Sequence, residues 1–493
     1  MGRRILGDER LECTWPWGRL VTEVTPSVGG DPAVYGPHAT GAVGRIARGL
    51  AANITGIGLL LVIQLLTVPV LLAAWGVPTY GEWLVLSAVP TYVALSDLSF
   101  SSVVGNSMVM LEAAGKHADA VTLGRRLWSI VTVMTGIAVL AAVAIALLFG
   151  GAFGTGAAIP ASEAQIVLVA LFLQVAVGNQ YGVLDAWYRA AGRYPLGIIM
   201  RQLGRLFEFS ALVGVVLAGA RPGAAAIAFL AGSAAGFGVS WVVLRRAVPW
   251  STFRPARPHP QTFRELLAPG LAFMAFPIGN ALSLQGFTIV IGGTLGVVAV
   301  VVFSTTRTVT RIALQAMGTI NNSIWPELSR SVGGGHLDEA RAILRRSVQL
   351  SLIVLCPLVL GLALFGVLII RWWTHRLVDP PVPLLLILLL VMVANSTWYT
   401  LSAVLVATNR HRRMAAVYLS GTTAALLAAV PLSSAFGLEG AAAALLAIDG
   451  AMVAYVFPAA LRIVQDDPGR FLRALLDLRG AARSAILMMK SAV

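Results

Sequence analysis

Charged side chains are scarce in this sequence. They make up 12% of its 493 residues, about half the share usual in a soluble domain. Hydrophobic residues reach 57%, and the mean hydropathy is +0.82. That balance excludes an ordinary water-soluble chain and leaves an integral membrane protein. Cysteine is equally sparse: Cys13 and Cys356 lie far apart, which excludes a disulfide framework and suggests no metal motif. Lysine occurs only at Lys116 and Lys490; the preference for arginine fits GC-rich coding and carries no functional reading. Enzyme patterns are missing as well, with no HExxH, G-x-S-x-G or CxxC. Gly115-Lys116-His117 fails as a phosphate loop, because Met110 stands where its first glycine belongs and His117 where its Ser or Thr belongs. The chain is therefore expected to be no enzyme and to hold no metal or cofactor. Energy for any work must come from the membrane potential, an ion gradient (H+ or Na+) or the substrate's own gradient.

What is present is a series of apolar segments, running from 49–74 to 439–461, each near the ~20 residues that cross a hydrocarbon core as a helix. They predict an all-α integral membrane protein of about twelve transmembrane helices. A middle loop with Pro249, Pro255, Pro258 and Pro260 divides these into two sets of six. The expected organisation is a disordered cytoplasmic tail over 1–44, lacking a signal peptide's apolar core, then a six-helix lobe over 45–244. A cytoplasmic linker over 245–268 and a second six-helix lobe over 269–461 follow. The tail over 462–493 mixes Phe471, Leu472 and Leu475 with Arg470 and Arg473, which suits an amphipathic helix at the interface. The halves echo one another: His117, Asp119 and Arg126 match His336, Asp338 and Arg345, and Ala190-Ala191-Gly192-Arg193 matches Ala407-Thr408-Asn409-Arg410. A shift near 218 residues relates both pairs. An even helix count per half makes this a tandem parallel repeat.

The formal charge of +14 would suggest nucleic acid in a soluble protein, but its distribution explains it otherwise. Alternate loops hold Lys116, Arg125 and Arg126; Arg189 and Arg193; Arg245 and Arg246; Arg341, Arg345 and Arg346; and Arg410, Arg412 and Arg413, while the opposite loops offer Arg221, Arg371 and Arg376. The positive-inside rule then puts both termini in the cytoplasm, and no nucleic-acid partner is expected. Trp83, Trp128, Trp372 and Trp373 fall near helix ends, where an aromatic belt is the default.

One segment breaks the apolar rule. Ser304, Arg307, Thr308, Arg311, Gln315, Thr319 and Asn322 recur at steps of three and four, so they share one helix face. An arginine near the middle of a spanning helix costs at least ~2.5–3.5 kcal/mol, so it persists where it faces a wet cavity or a counter-charge. The stripe predicts a hydrated, cationic path through the membrane.

Gly76-Val77-Pro78-Thr79-Tyr80-Gly81-Glu82-Trp83, followed by Tyr92-Val93-Ala94-Leu95-Ser96-Asp97-Leu98-Ser99, resembles the polysaccharide (O-antigen type) flippases of the multidrug, oligosaccharidyl-lipid and polysaccharide exporter superfamily. These often have Gly where this chain has Ser99. The resemblance implies two lobes around a cavity lined by the first, second, seventh and eighth helices, opening alternately to either side. It also implies outward movement of a polyprenyl-diphosphate-linked oligosaccharide across the plasma (inner) membrane. Membrane lipids, that glycan, and glycan polymerase or ligase proteins are the implied partners.

Within this frame Arg307 and Arg311 either contact the diphosphate, as planar forks suited to it, or lock the lobes by pairing with Asp97 or another acid. Asp97 is either a counter-ion to these arginines, the reading preferred here, or a protonatable coupling group. Asp449 is a second candidate of that kind. Arg45 and Arg48 stand at the mouth of the first helix, for diphosphate capture or, more commonly, interfacial anchoring. Asn53, Gln64, Asn280, Gln285 and Gln315 are candidates to face sugar or to bond between helices. Arg201, Arg205 and Glu208 share a face and are expected to form a structural ion-pair cluster. The alternatives in function are a multidrug or metabolite antiporter of the same superfamily, and a non-transporting scaffold of an envelope polysaccharide assembly complex.

Overall fold

The computed structural model describes residues 39–97, 100–153, 158–256, 274–408 and 410–476. The side chains of 39–54, 149–153, 313, 315–323, 325–326 and 476 lie outside that description. The described residues are helical, with no strand among them. In chain order the helices are α1 (Ala39–Ala88), α2 (Pro90–Ala94), α3 (Phe100–Ala113), α4 (His117–Phe153), α5 (Ala161–Ala190), α6 (Tyr194–Leu217) and α7 (Pro222–Ala247). Then come α8 (Met274–Leu295), α9 (Val297–Gly333), α10 (Leu337–Trp373), α11 (Val382–Ala407), α12 (His411–Val464) and α13 (Pro468–Leu476).

Eight stretches among the described residues are long and apolar enough to cross a membrane, yet two of them are too long for one crossing. Thr55–Ala113 has 59 residues and His411–Val464 has 54, or about 80–90 Å of helix at 1.5 Å per residue against a core of about 30 Å. Each is broken by a glycine with non-helical angles, Gly76 and Gly437, and so supplies two crossings. The charge-bearing α6 and α9 add the last two, for twelve among the described residues.

The backbone carries the repeat more plainly than the sequence does. Left-handed glycines occur in matched pairs: Gly76 (φ 74°) with Gly296 (φ 86°), Gly115 (φ 73°) with Gly335 (φ 76°), and Gly219 (φ 84°) with Gly437 (φ 62°). Only glycine takes such angles without steric cost, so each pair marks the same turn made twice. Gly192 (φ 68°) has Asn409 as its sequence counterpart, which lies outside the described residues.

These turns alternate between two ends of the bundle. One end, bearing Lys116, Arg193 and Arg246, is basic; the other bears Gly76, Gly219, Gly296 and the loop 374–381. The lobes meet at this second end. A Cβ on Gly81 would collide with the carbonyl of Val297, one on Gly292 would stand 2.8 Å from Val85, and one on Gly286 would stand 3.3 Å from the Tyr92 hydroxyl. Trp373 Nε1 donates to the Leu65 carbonyl at 2.8 Å. An apolar core with Leu71, Leu72 and Tyr80 from one lobe and Val301, Leu362 and Ile370 from the other fills the contact. Trp83 belongs here rather than to a belt: it is 7% exposed and packs 5.3 Å from Trp75. Glu82 completes the motif, its carboxylate accepting from the Ala158 and Ile159 amides at 3.0 and 2.7 Å.

Helix α1 already begins at Ala39, inside the stretch expected as tail; Cys13 and the rest of 1–38 lie outside the described residues. The first part of the linker is packed, not free. Trp250 meets Trp187 (5.3 Å) and His117 (4.7 Å), Phe253 stacks edgewise on Trp128 and Trp241, and Arg125 donates to the carbonyls of Arg254 and Pro255. Residues 257–273 lie outside the description. At the other terminus, Phe471 of α13 is buried against Phe457 while Leu472 is exposed, and Arg345 holds Asp466 just before it through two hydrogen bonds.

Candidate functional site

Arg307 lies about 15 Å from the start of α9, by 1.5 Å per residue. Beside it, α8 widens into a π turn over Leu282–Gly286, a distortion frequent at functional sites. The Arg307 guanidinium donates to the Ser283 carbonyl at 2.7 Å, the Leu284 carbonyl at 3.3 Å and the Ser283 hydroxyl at 3.3 Å, and it lies 5.8 Å from the Phe303 ring. Carbonyl dipoles and a ring face thus hold its charge without an ion pair.

Arg311, one turn on, is different: it makes no hydrogen bond or ion pair with any described residue. Both arginines line a cavity of about 300 Å³ with Asn280, Ser283, Asn395, Tyr399, Tyr418 and Asp449. Asp449 is 6% exposed. Its Oδ1 accepts from Asn395 Nδ2 at 2.8 Å and Trp398 Nε1 at 2.7 Å; Oδ2 accepts from no described residue. Its charge acts on both arginines. The cavity therefore combines two cations, one of them uncommitted, with one oriented carboxylate and several neutral hydrogen-bonding groups. This arrangement leaves the Arg311 guanidinium available to an anionic ligand while Asp449 stays bound to Asn395 and Trp398.

The acid facing these arginines is Asp449 and not Asp97. Asp97 ends the 3-10 turn Leu95–Asp97 of the first lobe, accepts from the Ser101 hydroxyl at 3.0 Å, and has Arg201 as the cation acting on it. The expected cluster on α6 is also rearranged. Arg201 pairs with Asp185 of α5, Arg205 donates to Gln202 at 3.4 Å, and Glu208 accepts from Gln174 Nε2 at 3.0 Å. The ion pair formed by these residues, Arg201 with Asp185, thus runs between helices, while Arg205 and Glu208 bond to neutral amides.

Asn280 lines the cavity. Gln285 sits in the π turn and does not line it, and Gln64 is half-buried on α1 in the other lobe. The side chains of Arg45, Arg48, Asn53 and Gln315 lie outside the described residues. Sequence reasoning missed Asn395, Trp398 and Tyr418. The run Asn395-Ser396-Thr397 inside the apolar α11 was the available signal.

Residues 163–374 match the family described as polysaccharide biosynthesis protein; none of the curated proteins matches the chain in sequence. Among solved structures, the chain is similar to the lipid II flippase MurJ in an inward closed conformation, with a TM-score of 0.63 and 15% identity over 87% of this chain and 90% of that one. A multidrug resistance MATE family transporter of the MOP superfamily, inward-facing, gives 0.61 and 11% over 82% and 98%. The Vibrio cholerae MATE transporter VcmN gives 0.55 and 16% over 86% and 98%. The chain thus shares the fold of these solved structures, and the family match agrees with the resemblance drawn from its sequence. The proteins it resembles are transporters and flippases, not enzymes.

Proposed function

We propose that this multi-pass membrane protein is an alternating-access flippase that carries a polyprenyl-diphosphate-linked oligosaccharide from the inner to the outer face of the plasma membrane. Its basic end would face the cytoplasm, in keeping with the positive-inside rule. The observation that carries the reading is the uncommitted guanidinium of Arg311 in a polar cavity within the membrane, beside Arg307. An unpaired cation at this depth is expected to serve a ligand, and a diphosphate suits a guanidinium because it accepts paired, charge-assisted hydrogen bonds. A cavity near 300 Å³ is at the small end of ligand sites. It would take the charged head and leave the glycan to the space between the lobes and the lipid tail to the bilayer. Asp449, held by Asn395 and Trp398, would balance part of the charge of Arg311 across the cavity without binding it, and with Asp97 it is a candidate for ion coupling.

The second reading, an antiporter of the same superfamily, draws on the free Oδ2 of Asp449, which could take a cation. Complementation separates the two. In a flippase-deficient strain with matched membrane levels, wild type should restore lipid-linked glycan on the outer face, and Arg311→Ala should accumulate it inside. Equal function of wild type and Arg311→Ala would remove the flippase reading.

A further inference from the structure

At the end opposite the basic one, two cavities of about 490 and 530 Å³ share Pro69 and His375. They form one cleft with unlike halves. One half is cationic and aromatic, lined by Arg371, Arg376 and Trp372; the other is apolar, lined by Val70, Ala74 and Leu217. The cleft also bridges the lobes, since α1 and α6 belong to one and α10 to the other.

The cationic half contains one uncommitted charge. Arg371 is neutralised by Asp379, with hydrogen bonds of 2.8 and 2.7 Å, whereas the exposed Arg376 side chain has no partner among the described residues. His375 and Arg376 both take the left-handed conformation, φ 51° and 64°, which disfavours any side chain but glycine. Thr374 holds this turn through its hydroxyl, which donates to the Ile370 carbonyl at 2.7 Å and accepts from the Val378 amide at 3.3 Å. The turn thus keeps two basic residues where glycine would sit more easily. Trp372, 79% exposed, stands beside them with the amphipathic ring expected at headgroup depth.

We infer that this cleft is a lipid site that takes a lipid with a net-anionic phosphate headgroup, its phosphate on Arg376 and His375 and its tail along α1 and α6, bridging the two lobes. The proposal needs only that the chain spans a membrane; it goes beyond the transport reading and is tested without a transport readout. Two sources share the chemistry, bulk anionic phospholipid and a polyprenyl diphosphate.

The full chain, purified in detergent, would be titrated by native mass spectrometry with phosphatidylglycerol, a polyprenyl diphosphate, phosphatidylcholine and inorganic pyrophosphate. Phosphatidylglycerol should bind about tenfold more tightly than phosphatidylcholine, equivalent to ~1.4 kcal/mol, because the choline cation of the latter cancels the phosphate charge and is repelled by Arg371 and Arg376. Arg376→Gln should remove that preference, and so should Arg376→Gly, which relieves the left-handed turn and so keeps the fold. Leu217→Gln should weaken both lipids while leaving pyrophosphate binding unchanged. Polyprenyl diphosphate outcompeting phosphatidylglycerol would identify the flipped lipid as the occupant, and equal competition the bulk lipid; both support a phosphate-lipid site. Equal binding of phosphatidylcholine, or an unchanged preference in both Arg376 variants with melting curves intact, overturns it.

Discussion

Arg307 Nη2 stands 2.7 Å from the Ser283 carbonyl, a bond that ties α9 to the π turn of α8 and separates the roles of two arginines one turn apart. Arg307 is fastened; Arg311 is not.

Their alanine variants should therefore fail differently. Arg307→Ala removes hydrogen bonds from a charged donor, each worth roughly 1.5–3 kcal/mol, and should lower the melting temperature in detergent together with transport. Arg311→Ala should leave melting unchanged and reduce transport at least about tenfold, equivalent to ~1.4 kcal/mol. Matching losses of stability in the two variants would contradict this division.

Asp449→Asn keeps an acceptor for Trp398 Nε1 and Asn395 Nδ2 but removes the charge facing Arg311. Stability should change by about 1 kcal/mol or less, while the dependence of transport on an imposed ion gradient should disappear. Trp398→Phe, which removes one hydrogen bond and leaves the carboxylate, should keep that dependence. Transport into vesicles with and without a gradient distinguishes them.

Gly292→Leu and Gly81→Val place atoms where the lobes touch. Overpacking of this kind costs about 1–3 kcal/mol, charged here to the contact between the lobes and not to either lobe's own fold. The expected result is separation of the lobes at this end, measured by spin-label distances across the contact. In a background free of Cys13 and Cys356, the pair Val85→Cys and Gly292→Cys should cross-link readily in the wild-type arrangement.

In the loop after α10, the two hydrogen bonds from Arg371 hold the Asp379 carboxyl below its usual range. A carboxylate lowered in the folded state contributes stability above its unfolded value, about 3.9, and loses it as pH falls through the lower folded value. Wild type and Asp379→Asn should differ slightly near neutral pH, since the pair is exposed. Their melting temperatures should converge in strong acid.

The sequence and the structure agree most closely where a rule is local. Apolar length located the crossings, and the three-four spacing of Arg307 and Arg311 put both on one face of α9. Partners across helices were not legible. Asp97 and Asp449 look alike as lone acids in apolar segments, and only the packing of α11 and α12 against α9 decides which one meets the arginines. The same holds for Arg201, whose acid is Asp185 of a neighbouring helix and not Glu208 on its own. The repeat was faint in side chains because only loop residues had kept their identity. It is plain in the backbone because the turns at Gly76 and Gly296 tolerate little but glycine.

The clamp of Trp250 and Phe253 on the first lobe has a mechanical consequence. The chain leaves that lobe already fastened at its basic end, so this point of exit is no swivel, and in the proposed alternating access the fulcrum would fall where Trp373 meets Leu65. With 37 residues, α9 is a lever of about 55 Å. Rocking by about 10° on that fulcrum would sweep its far end through ~10 Å, by the same helical rise, while the contacts around Gly81 barely shift.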